Sequence, residues 1–162
     1  MTIRSLTQRS GHTLDIWTPE DKAFWEREGE AVAKLNLWIS VPALFLAFAI
    51  WQVWSVVAVS LPGLGFKYTT DQLFWLAAAP ALSGATLRIF YSFMVPLVGG
   101  RRWTAISTAS LLVPALGIGF AVQDNTTPYG TMLALALLCG FGGGNFSSSM
   151  ANISFFFPKE RK

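Results

Sequence analysis

A chain of 162 residues that is 52% hydrophobic and only 13% charged has too few polar side chains to cover a water-facing globule, which excludes an ordinary soluble domain. Its net charge of +3 would point to nucleic acid in a soluble protein, but the basic residues here flank apolar runs and read as topology signals, so no nucleic-acid partner is expected. The single cysteine, Cys139, lies inside an apolar run and can form no intrachain disulfide.

Residues 1–36 are polar, with five basic and six acidic residues interspersed, and lack the early apolar core of a cleavable secretory signal. Thr18-Pro19-Glu20-Asp21 reads as a helix start, with a Thr cap, Pro at the first helical position and acids in the first turn, and predicts a short helix to about Lys34. Trp17, Phe24 and Trp25 fit either an interfacial helix or a solvated one with aromatic anchors. His12, the only histidine, sits in the polar tail and is given no role.

Four apolar runs follow. Residues 37–61 carry no charge over 25 positions, enough to cross ~30 Å of hydrocarbon at ~1.5 Å per residue. Pro62-Gly63 and Gly65 break that run. Residues 73–98 form the second, residues 103–122 the third and residues 129–157 the fourth, with 158–162 as a tail. The predicted fold class is an all-α integral membrane protein with four transmembrane helices. Gly99, Gly100, Arg101 and Arg102 read as a tight, positively charged turn between the second and third. Ten of the twelve Lys and Arg fall on the side of the two termini and this turn, with Lys67 alone opposite, which predicts that both termini are cytoplasmic.

The twelfth basic residue, Arg88, is the one charge inside a span, about ten residues or ~15 Å from its nearer end. A guanidinium near the bilayer centre costs between ~2.5 and over ~10 kcal/mol unless it faces a bundle interior or a wet cavity. Either it pairs with backbone carbonyls or a buried acid, or it receives an anion. The four runs contain no Asp or Glu, which favours the anion, and paired planar donors suit a flat oxyanion better than a spherical halide.

The fourth run holds Gly140, Gly144 and Ser148 at intervals of four, the small-residue pattern for close helix packing. Asn145, Ser149 and Asn152 share another face, where hydrogen-bonded packing and the lining of a polar pathway are both open readings. A ring such as Phe146 can pack against the face of a flat anion while amide and hydroxyl groups bind its oxygens. No metal-ligand cluster or nucleophile constellation appears, so neither an enzyme nor a metal or other cofactor is expected.

Asn36 to Pro42 (NLWISVP), Thr69 to Phe74 (TTDQLF), Ser83-Gly84 with Leu87-Arg88, Tyr91 to Pro96 (YSFMVP), Gly99 to Thr104 (GGRRWT), and Asn145-Phe146 with Ser148 to Lys159 (SSMANISFFFPK) resemble the nitrate/nitrite porter family of the major facilitator superfamily. The resemblance runs from about Ile16 onward. It implies exchange of nitrate for nitrite across the bacterial inner membrane, with Arg88 as a substrate arginine and Phe146, Asn145 and Gly144 beside the bound anion. It also implies a twelve-helix fold in two halves with the site between them. Four helices correspond to the first third, so the remaining transporter helices are an expected partner, in the same chain if this is a fragment. The alternative is a four-helix remnant or assembly partner without transport of its own.

Overall fold

The computed structural model describes residues 9–10, 13–14 and 17–161, so His12, Ile16 and Lys162 lie outside the described residues. Apart from a two-residue antiparallel pair, Arg9–Ser10 (β1) with Thr13–Leu14 (β2), the described elements are helical. Four helices are long and apolar enough to cross a membrane: Lys22–Leu64 (α1), Thr70–Val98 (α2), Gly100–Ala121 (α3) and Tyr129–Phe156 (α4).

α1 departs from the sequence expectation at both ends of the polar segment. Thr18 accepts a turn bond from the Asp21 N–H, and Asp21 is the cap, its carboxylate accepting from the Ala23 N–H at 2.9 Å. The helix then continues through Lys34 into the first apolar run, because Lys34-Leu35-Asn36-Leu37 contains neither Gly nor Pro to stop it. Trp25–Gly29 forms a π-helical turn, and a Cβ on Gly29 would lie 3.1 Å from the Trp25 ring. The far end tightens to a 3₁₀ turn, Leu61–Leu64, and stops at Gly65, whose φ of 90° favours a residue without Cβ.

α2 starts at Thr70, three residues before the apolar run, under a capping box. Thr69 Oγ1 accepts from the Gln72 N–H at 3.3 Å, and Gln72 Oε1 accepts from the Thr69 N–H at 2.9 Å. Pro80 cannot donate to the Leu76 carbonyl four residues back, and the buried Trp54 of α1 fills that role, its Nε1–H donating to Leu76 O at 2.5 Å. A proline that would weaken an isolated helix is thus tied into the packing against α1.

Gly99 alone separates α2 from α3, at φ 88°. Gly100, Arg101 and Arg102, expected in the turn, belong to the first helical turn of α3. The two glycines serve different ends: Gly99 supplies the backbone conformation, whereas Gly100 makes room for Asn152 of α4, whose Cγ would lie 2.6 Å from a Cβ there. α3 is interrupted at Leu111, where Pro114 leaves the Ser110 carbonyl without its helical donor.

α4 packs against the other three helices, most extensively against α2, and its surroundings change along its length. Met132, Ala136 and Cys139 join Trp54, Leu61, Leu76 and Ile118 in an apolar core. The glycines from Gly140 to Gly144 meet α1 and α2 at close range. Beyond them Asn152 Nδ2 donates to Asn36 Oδ1 of α1 at 3.0 Å.

At the end of α4 the N-terminal segment closes over the chain like a clasp. Trp17 Nε1 donates to Phe155 O at 3.3 Å, and its ring meets Phe24 and Phe156 edge-on. The Arg161 guanidinium lies 5.5 Å from the centre of the Trp25 ring and 3.2 Å from Glu30, which also pairs with Lys34 at 3.1 Å. The segment from Trp17 to Glu30 therefore lies against the end of α4 and Lys159–Arg161, opposite the 66–69 and 122–128 connections, which are joined by Tyr68 donating to Thr127 O.

Gly100→Ala should lower the thermal midpoint in detergent by the equivalent of ~1–3 kcal/mol through overpacking against Asn152, while Gly119→Ala, with nothing within 4 Å of its Cβ, should be neutral or stabilising. The hydrogen bond and charge of Lys34, and then those of Arg161, hold the Glu30 carboxyl below its ordinary 4.5. A lowered folded value means that its contribution is complete above pH 4.5 and is lost as pH falls through the folded value. The stability advantage of the parent over Glu30→Gln should accordingly be present at about pH 6 and shrink as pH falls below 4.5, read from thermal midpoints across an acid titration.

Candidate functional site

Arg88 lies ten residues from the C-terminal end of α2 and is exposed on the surface of the four-helix unit. Its Nε–H donates to the Gly143 carbonyl of α4 at 3.2 Å, and its guanidinium carbon lies 5.8 Å from the centre of the Phe146 ring. Phe146 is 38% exposed on the same face. Its ring meets Phe48 of α1 at 5.9 Å, and Phe48 meets Trp51 at 5.7 Å, so an aromatic row from α1 supports it from behind. A mid-span guanidinium facing lipid would cost several kcal/mol, so this exposed face meets protein or water rather than acyl chains.

The backbone-carbonyl reading of Arg88 is therefore met in part: one edge of the guanidinium is engaged by Gly143, and the Nη1 and Nη2 groups remain as paired donors of a cation that no acid neutralises among the described residues. A planar anion there would find two parallel N–H donors and an aromatic ring. The described residues hold no group of three or more His, Cys, Asp or Glu that could bind a metal.

Of the four expected site residues, the structure brings Arg88 and Phe146 together and places the other two behind them. Gly144 is buried, with Leu87 and the Tyr91 ring of α2 at 3.0 and 3.4 Å from where its Cβ would be. Asn145 is 1% exposed and turned toward α3, where its Oδ1 accepts from Ser107 Oγ at 3.0 Å and from Ser148 Oγ at 3.1 Å. Successive helical residues point about 100° apart, so Asn145 and Phe146 cannot both face Arg88. Each serine also reaches a carbonyl of its own helix, Ser107 to Thr104 O at 3.3 Å and Ser148 to Asn145 O at 3.1 Å. Two hydroxyl protons thus face three acceptor atoms through four contacts, while Asn145 Nδ2 has no partner. Proton counting favours the amide turned over, with Nδ2 donating to both hydroxyl oxygens and each hydroxyl donating to its own helix.

Gly143, Phe48, Trp51 and Ser107 were not among the expected site residues. Gly143 acts through its carbonyl, which no side-chain pattern reveals; the signal available was Gly84, one turn before Arg88, as a small residue able to face the α4 glycines.

Three curated relatives align with nearly the whole chain. The nitrate/nitrite transporter NarU of Salmonella typhimurium is 58% identical over 151 residues, 93% of this chain and 33% of its own. NarU of Escherichia coli is 56% identical over 155 residues, 96% of this chain and 34% of its own. Over nearly its whole length this chain is homologous to these nitrate/nitrite transporters. A protein of Thermus thermophilus named as a probable nitrate/nitrite antiporter, NarK2, is 47% identical over 154 residues, covering 95% of this chain and 34% of the relative. The chain thus spans about a third of the length of the family members it matches. No family model matches it.

A double-mutant cycle tests the helix-joining role of Asn145. Asn145→Ala and Ser107→Ala should each destabilise the unit, with a coupling of ~0.5–1.5 kcal/mol between them in thermal or denaturant unfolding. Additivity would mean that the pair does not tie α3 to α4.

Proposed function

We propose that this chain forms part of a transporter that exchanges nitrate and nitrite across the bacterial inner membrane, with Arg88 as the residue that receives the anion. One observation carries the reading: a mid-span guanidinium, held along one edge by the Gly143 carbonyl and set over the Phe146 ring, lies on an exposed face of an otherwise apolar four-helix unit. Names of relatives and geometry point the same way. The relatives are described as nitrate/nitrite transporters, and a cationic fork beside an aromatic face suits a small planar oxyanion.

In this reading Arg88 binds and partly neutralises the anion while Phe146 packs against its face. Asn145 and Gly144 act one layer back, joining the helices that carry the site. No catalytic step or cofactor is involved. The site is completed by the remaining transporter helices, which cover the face that Arg88 and Phe146 share and which belong either to the same chain or to a separate one. In this reading the clasp lies on the cytoplasmic side and Lys67 on the other, which the distribution of Lys and Arg supports. The four helices sit in the lipid bilayer as a multi-pass unit.

The test is anion binding and exchange by the whole transporter, purified from the host membrane and reconstituted in vesicles. Arg88→Lys keeps the charge but loses the paired donors, and should weaken nitrate binding at least about tenfold, or ~1.4 kcal/mol. Arg88→Ala should abolish exchange. Exchange that survives Arg88→Ala would overturn the proposal and favour a structural role for the four-helix unit.

A further inference from the structure

The structure assigns Gly84 and Gly140 a part in aiming Arg88, an inference that rests on the anion-site reading above. At this pair α2 and α4 touch backbone to backbone. A Cβ on Gly140 would lie 2.7 Å from Gly84 N and 2.8 Å from Pro80 O and would overlap Ser83 Oγ; a Cβ on Gly84 would lie 3.1 Å from Gly140 O. Any larger residue at position 140 must push the two helices apart, because two of the atoms it meets are backbone.

Arg88 follows Gly84 by four residues, about one turn, and Gly143 follows Gly140 by three. The contact between the two glycines therefore sets the distance over which Arg88 Nε reaches the Gly143 carbonyl. That bond, at 3.2 Å, already lies at the long end of the usual N–H···O range of ~2.7–3.2 Å, so an added separation of ~0.4 Å would take it beyond hydrogen-bonding distance. Ser147 Oγ, 3.4 Å from Arg88 O, adds a second tie between the same two turns.

A guanidinium offers two edges for bidentate binding: the side edge, which includes Nε, and the end edge, formed by Nη1 and Nη2. With Nε given to Gly143, the side edge is engaged and the end edge, on a guanidinium set over the Phe146 ring, is left for a ligand. Two oxygens of a planar oxyanion match that edge, whereas a spherical halide makes no use of the parallel direction of its two N–H groups. Gly84 and Gly140 are thus positioning residues: their contact fixes which edge of Arg88 meets the anion, and with it the preference for flat oxyanions over halides.

The readout is anion shape selectivity, which a merely structural glycine would leave unchanged. Nitrate and bromide dissociation constants are measured on the whole reconstituted transporter carrying Gly140→Ala, Gly84→Ala or Arg88→Lys, with thermal midpoints confirming that each is folded. Gly84→Ala, which needs a shift of only a few tenths of an ångström, decides the matter if Gly140→Ala does not fold. The expected result is a nitrate-over-bromide ratio that falls at least about tenfold in folded glycine variants, through weaker nitrate binding at unchanged bromide binding. If the folded glycine variants keep the parent ratio while Arg88→Lys loses nitrate, the positioning inference fails and the anion site stands. If Arg88→Lys keeps parent nitrate affinity, the anion-site reading fails and takes this inference with it.

Discussion

Two helix backbones in contact at the middle of the unit, Gly84 of α2 against Gly140 of α4, set the terms for much of the rest. In lipid, helices gain little from burying apolar surface against one another, because the acyl chains are as apolar as the side chains. Close approach and interhelical hydrogen bonds decide how they pack. Here the approach lets Ser83 Oγ donate to the Leu137 carbonyl at 2.8 Å and Arg88 Nε to the Gly143 carbonyl at 3.2 Å, on either side of the contact. α1 meets the same stretch from another direction, with Trp51 against Gly143 and the Ala47 carbonyl against Gly142.

Polarity along α4 is graded, and the gradient accounts for a composition that would otherwise make a poor helix. Apolar side chains fill its first half, where α4 joins Trp54 and Leu76. Glycines occupy the middle, where there is no room for side chains. Serines and asparagines follow, where three helices exchange hydrogen bonds, and aromatic and charged groups of the clasp close the end. The low intrinsic helix propensity of Gly, Ser and Asn is offset by contacts that larger or apolar residues could not make.

The four helices were legible because each is a long apolar run, and Arg88 because it is the one charge inside them, while the place of Phe146 beside it came from the resemblance to the porter family. What escaped were features set by backbone and neighbours. The extension of α1 through Lys34 crosses a change from polar to apolar composition, which marks a change of environment and not a helix end. Gly100 looked like part of a turn because its reason for being glycine, the side chain of Asn152, lies about fifty positions away. Asn145 could be read from the sequence either as hydrogen-bonded packing or as pathway lining, and its partner Ser107 could be found only once α3 had been placed against α4. The Gly143 carbonyl carries no side-chain signature at all.

The single residue between α2 and α3 bears on how the chain enters a membrane in the first place. With only Gly99 as a hinge, the two helices are tied end to end and reach the bilayer as neighbours. α2 alone is a marginal candidate for partitioning from the translocon, since it must carry a guanidinium into hydrocarbon. Joined to α3, which has no charge beyond its first turn, it enters as half of a more apolar unit, and the penalty for Arg88 is borne by the pair. The Gly99 turn thereby keeps the one charged span next in line to a span with no charge past its first turn.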